Sequence, residues 1–154
     1  MTPHEKLTVF QFPHRHLLTV EGLYQIHAEL CRQLSEHGAE LDGFYFCPSV
    51  PLSEDRTAID DPDRKPSPGM IVRAALDLSL DIRRSWMIGD MVSDVLAGRN
   101  AGCRGSIFVA SGQGRPEELA GIDCVRLPDL AAAAAYILEQ ESMNPSGAST
   151  PLRT

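Results

Sequence analysis

The chain has 154 residues, of which 43% are hydrophobic and 23% charged, and its formal net charge is -7. That size supports one globular domain with a core, and the acidic balance excludes a general nucleic-acid or membrane-surface binder, which works through basic faces. No apolar run approaches the length of a membrane span and Met1–Lys6 lacks a signal-peptide core, so a cytoplasmic chain with reduced thiols is expected.

Leu7 to Phe12 is rich in β-formers and predicts a strand, stopped by Pro13. Thr19 is placed to cap a helix from Val20 to His37. Leu23, Ile26, His27, Leu30 and Leu34 fall on one stripe of that helix, and Gly38 suits its end. Phe44 to Cys47 reads as a buried strand ended by Pro48. Pro51 to Pro62 is loop-like and acidic, with Asp60, Asp61 and Asp63 around Pro62. Ser67 reads as the cap of the next helix, with Pro68 at its first position and Met70, Ile71, Ala74, Ala75 and Leu78 on its inner face.

A strand is predicted at Ser85–Ile88, a helix at Ser93–Ala101 closed by Gly102, and a strand at Ser106–Ala110. A loop with Gly112 and Gly114 leads to a short helix at Pro116–Ala120 and a last strand at Cys124–Leu127. Asp129 starts an alanine-rich helix to about Gln140. Alternating strands and helices predict an α/β domain with a Rossmann-like parallel sheet over residues 1–141. Residues 142–154 are small, polar and proline-containing, which predicts a disordered tail.

Cys31, Cys47, Cys103 and Cys124 form no Cys-x-x-Cys pair, so neither a zinc ribbon nor a redox motif is indicated. The chemistry concentrates elsewhere. Asp90 follows a short apolar strand and a glycine, and in an open α/β sheet that is where the binding crevice lies. Asp94 stands four residues on, and two carboxylates so spaced suit Mg²⁺, which prefers oxygen ligands and keeps several waters. Read singly, Asp90 merely ends a strand and Asp94 caps a helix. Lys65 precedes a helix start with Arg64 beside it, a pair that suits a phosphate or else a solvated acidic loop. An Arg-Lys-Pro helix entry followed one unit later by a strand–Gly-Asp–Asp block is much rarer than either half.

From about Glu21 to Leu138 the chain resembles the haloacid dehalogenase (HAD) superfamily, in its branch of histidinol phosphatases and D-glycero-D-manno-heptose 1,7-bisphosphate phosphatases. The stretches that carry the likeness are Gly43–Pro48, Arg64–Met70, Ser85–Asp90 and Asp94–Gly102. The resemblance implies a HAD-like fold, a Mg²⁺-dependent phosphatase and a small phosphorylated sugar as substrate. It implies that Lys65 is the catalytic third-motif lysine and that Arg64 contacts substrate. Asp90 would be a Mg²⁺ ligand and Asp94 its supporting acidic partner.

Three departures accompany the likeness. The family's Asp-x-Asp-Gly nucleophile motif is absent, since Asp42-Gly43 precedes a strand and Asp60–Asp63 follows none. The Ser/Thr phosphate-binding motif is not visible, because Thr19 reads as a helix cap. Together these amount to roughly 50 residues, or two βα units, which gives the expectation of an N-terminally truncated fold that is inactive alone. Finally, Cys47 matches the first of the branch's zinc positions, but Ser49, Asp61 and Asp63 stand at the others, so no zinc is expected and the loop is expected to be held by its own turns and prolines. Other readings are a non-catalytic phosphate- or Mg²⁺-binding or interaction module and a histidinol-phosphate phosphatase relative. Loss of a central strand would also expose strand edges to self-association.

Overall fold

A computed structural model of the chain describes residues 8–11, 19–48 and 55–143. Its elements in chain order are β1 (Thr8–Gln11), α1 (Val20–Ser35), β2 (Gly43–Phe46), α2 (Gly69–Leu78), β3 (Trp86–Gly89), α3 (Val92–Ala101), β4 (Gly105–Val109), β5 (Val125–Leu127) and α4 (Leu130–Met143). The ends of the first predicted strand, Pro13, Leu52 and the tail from residue 144 onward lie outside the described residues.

The α/β class with parallel strands is the one observed. Among the described residues the strands form two parallel ladders, β1–β2 and β3–β4–β5, and no ladder joins them. In the first, Val9 pairs with Phe44 and Phe10 with Tyr45. In the second, Ile88 pairs with Ile107, and Phe108 with Arg126.

Thr19 caps α1 as expected, its Oγ1 accepting from the Gly22 N–H at 3.0 Å. The helix ends two residues before His37, and the turn that follows takes Gly38 through φ +72°. β2 is only half-buried, contrary to the reading of a buried aromatic strand. Its alternation explains why. Successive strand side chains point to opposite faces, so Phe44 and Phe46 meet α1 while Tyr45 meets α2. His27 stacks on Phe44 at 4.0 Å, and Tyr24 sits edge-on to Phe44 and Phe46. On the other face Tyr45 donates to Asp77, and the Arg73 guanidinium lies over its ring. Each face is thus covered by one helix, and the aromatic rims remain in reach of water. Ile26, placed on the apolar stripe of α1, is 48% exposed, and Leu23 is the helix's one fully buried side chain.

The three-stranded sheet carries the better-closed core. Met87 packs with Ile71 of α2 and Ala97 of α3. Phe108 packs on the same side with Val92, Val95 and Leu119. Ile107 and Val109 point the other way, to Ala133, with Tyr136 and Ile137 of α4 packed around them. The result is helix, sheet and helix in layers. Leu78 of the predicted inner face of α2 is only half-buried, whereas Met70, Ile71, Ala74 and Ala75 are buried. A 3-10 turn at Ile82–Arg84 has no counterpart in the sequence reading. Asp129 caps α4 through the Ala132 N–H, and the helix continues through Ser142 and Met143, so these two are helical and not tail.

α3 lies close to the sheet because its inner face is small. A Cβ at Gly98 would run into the Met87 side chain and the Ser106 hydroxyl. Gly98→Ala is therefore expected to destabilise the protein by about 1–3 kcal/mol, the usual cost of overpacking, read as a lower urea midpoint at unchanged slope.

Candidate functional site

β3 and β4 are parallel, so their carboxyl ends meet on one edge of the sheet, and the candidate residues gather there. β3 ends at Gly89 and Asp90 follows at once. The chain leaving β4 folds back over it: the Gln113 N–H donates to Asp90 Oδ2 at 2.7 Å. Gly112 and Gly114 permit this approach, because a Cβ at Gly112 would strike the Asp90 carboxyl group and one at Gly114 its backbone carbonyl. This loop, which the sequence reading treated as a connection, is what holds the Asp90 carboxylate. Its signal was the Gly-x-Gly spacing directly after a strand, which marks close backbone approach.

Asp94 lies in the first turn of α3, with its side chain 5% exposed. One oxygen accepts the Met91 N–H at 3.0 Å, so the helix-cap reading holds. The other oxygen forms an ion pair with Lys65 Nζ, whose side chain is 11% exposed. Capping and pairing coexist on one carboxylate. A Cβ at Gly89 would collide with the Asp94 side chain, so the glycine before Asp90 also makes room for Asp94.

Lys65 arrives from the loop ahead of α2, across a cis Lys65–Pro66 bond. The loop is fixed from several directions. Asp61 Oδ1 accepts the Asp63 N–H at 2.8 Å and lies 3.8 Å from Cys47 Sγ. Asp63 pairs with Arg73 of α2 at 2.5 Å. The Pro62 carbonyl accepts the Gly69 N–H at 3.0 Å. Turns and prolines alone, as expected from the sequence, do not account for this loop, because three aspartates anchor it through side chains. Cys47 and Asp61, two of the positions aligned with the branch's zinc ligands, do meet, as a thiol beside a carboxylate. Among the described residues no group of three or more His, Cys, Asp or Glu is arranged to hold a metal ion.

One expectation changes at this point, and one residue finds a further partner. Ser67 does not cap α2: Pro68 occupies the cap position, and the Ser67 hydroxyl is buried without a hydrogen-bond partner among the described residues. The reason is local, since the Gly69 N–H such a cap would use already goes to Pro62. Arg64 is 6% exposed and forms an ion pair with Asp60, four residues earlier. The structure thus brings Lys65, Asp90 and Asp94 together at the strand ends, and turns Arg64 into its own loop.

Residues 63–138 match the HAD-hydrolase-like family model. The chain is 38% identical over 80 residues to the D-glycero-β-D-manno-heptose-1,7-bisphosphate 7-phosphatase of Pasteurella multocida, covering 52% of this chain and 44% of that protein. It is 39% identical over 107 residues to the D-glycero-D-manno-heptose-1,7-bisphosphate 7-phosphatase of Thermosynechococcus vestitus, covering 66% and 54%. The crystal structure of the D,D-heptose 1,7-bisphosphate phosphatase of B. bronchiseptica, complexed with magnesium and phosphate, superposes with a TM-score of 0.72 at 27% identity, covering 88% of this chain and 75% of that one. The chain spans about half the length of the first two relatives.

The buried pair gives a direct stability test. Breaking a buried ion pair from one side leaves an uncompensated charge and costs about 3–5 kcal/mol. Lys65→Met is expected to lose about that much, and Lys65→Met/Asp94→Leu clearly less, by urea denaturation. Equal losses in the two variants would mean that the Asp94 charge is solvated elsewhere.

Proposed function

We propose that the chain is a HAD-like hydrolase whose site takes the phosphate group of a small phosphorylated sugar with Mg²⁺, in the manner of a D-glycero-D-manno-heptose 1,7-bisphosphate 7-phosphatase. The observation that carries this reading is the Lys65–Asp94 ion pair, nearly closed to water, beside Asp90 at the carboxyl end of the sheet.

Each residue has a part in it. Lys65 is a compact cation on a flexible stem, suited to a phosphate oxygen as a point charge. Asp94 holds the ammonium in place. Asp90, one oxygen fixed by the Gln113 N–H, supplies a carboxylate oxygen to the metal; Mg²⁺ needs only one or two carboxylates when water and substrate phosphate complete its shell. When bound, the ion neutralises phosphate charge. Asp94 is the supporting acid behind it. A substrate contact by Arg64, whose guanidinium is held by Asp60, belongs to the same reading and requires that pair to open. A sugar bisphosphate is favoured over histidinol phosphate by the names of the relatives.

Phosphoryl transfer through an aspartyl-phosphate also needs an attacking carboxylate in line with the leaving group. The sequence holds no apolar run that ends in Asp-x-Asp. Asp42 precedes β2, and Asp60, Asp61 and Asp63 are committed to the loop. These residues therefore act as the metal- and phosphate-binding part of the reaction and do not turn over alone. A cytoplasmic location and self-association through the ladder edges of β1 and β3 belong to the same reading. No helix of the described residues is long and apolar enough to cross a membrane.

Two measurements on the purified chain test this. Inorganic phosphate is expected to bind more tightly with Mg²⁺ than without, and Asp90→Asn to remove that difference. Phosphate release from the heptose bisphosphate is expected to stay at background. Mg²⁺-dependent release that disappears in Asp90→Asn would show an acceptor within these residues, and the non-catalytic part of the reading would fall.

A further inference from the structure

Asn100 lies in the last turn of α3, and its side-chain amide donates to the Pro66 carbonyl at 2.9 Å, across 34 positions of sequence. This bond does nothing for the helix itself. The end of α3 is already closed by backbone bonds from Gly102 and Cys103 to the Arg99 and Gly98 carbonyls. It matters to the loop. Proline has no N–H, so the carbonyl is the one main-chain group through which Pro66 can be tied. Pro66 itself is buried, and the preceding residue is Lys65.

The same helix holds Lys65 at its other end, since Asp94 is in the first turn. Asp94 and Asn100 stand six positions apart in α3, a rise of about 9 Å. The Lys65 stem therefore runs alongside α3, its base fixed near the last turn and its ammonium near the first. A four-carbon stem carries many rotamers. Fixing its base at a set height leaves the ammonium a small arc in which to meet both Asp94 and a ligand.

We propose that Asn100 is a positioning residue for Lys65, setting through the Pro66 carbonyl the height at which the ammonium meets phosphate. The proposal rests on the reading of Lys65 as the phosphate-binding cation. Asn100 lies at the solvent edge, so its replacement opens no cavity in the core.

The chain has only two lysines, Lys6 and Lys65, so ¹³Cε-lysine labelling of the full chain gives two signals, and Lys6→Arg leaves that of Lys65. In Asn100→Ala, the Lys65 signal is expected to sharpen and its order parameter to fall. Inorganic phosphate affinity in the presence of Mg²⁺ is expected to weaken about three- to tenfold, the range for one lost hydrogen bond. Asn100→Asp, which keeps the shape but presents no donor, is expected to do the same and serves if the alanine variant folds poorly. A lowered Tm with an unchanged Lys65 signal would make Asn100 merely structural and overturn the proposal. Unchanged phosphate affinity in a chain whose parent binds phosphate would overturn it as well. If the parent binds no phosphate, the phosphate reading fails, and the Lys65 signal alone decides whether Asn100 positions it.

Discussion

The Lys65–Asp94 pair joins the loop before α2 to the first turn of α3, and the rest of the candidate site is arranged around it. Two opposite charges withdrawn from water gain little net stability, because desolvation offsets most of their attraction. What they gain is place. The ammonium sits where the first turn of α3 starts, and the carboxylate that holds it also closes that turn through Met91. The loop before α2 and the end of β3 are thereby fixed relative to one another. Gly89 belongs to the same constraint, since any side chain there would occupy the space of Asp94.

Around this pair the acidic loop is organised by charge more than by apolar contact. Asp60, Asp61 and Asp63 each have a defined partner: Arg64, the Asp63 N–H and Arg73. A segment that offers few apolar side chains to bury is ordered instead by short-range pairs with its own arginine and with one from α2. α2 links the two ladders by presenting Arg73 and Asp77 towards β2, and Ile71 towards β3.

Much of this was legible in the sequence. Caps and periodicity placed α1, α3 and α4, and the short apolar runs placed β2 to β5, because each signal is local. Lys65, Asp90 and Asp94 could be selected because their spacing is tied to strand and helix ends. The differences come from contacts that residue types do not announce, some distant along the chain and some within the same loop. The aromatic run in β2 looks buried as a string, yet its faces are shared between two helices and its edges stay open. Ser67 looks like a cap until Pro62 takes its donor. The partner that Arg64 takes, Asp60, is seen only in the folded loop. Asn100 and the backbone of Gln113 give no signal in their own residue types, since what matters is where a tertiary contact puts an amide.

The Gln113 contact has a consequence for how this site tolerates sequence change. The group that orients Asp90 is a main-chain N–H, supplied whatever side chain residue 113 carries, proline excepted. The constraint falls instead on the flanking glycines, where the chain has no room for a Cβ. Position 113 is thus free to drift while positions 112 and 114 are not. A side chain at 113 can be exchanged to alter what borders the strand ends without disturbing the carboxylate beneath.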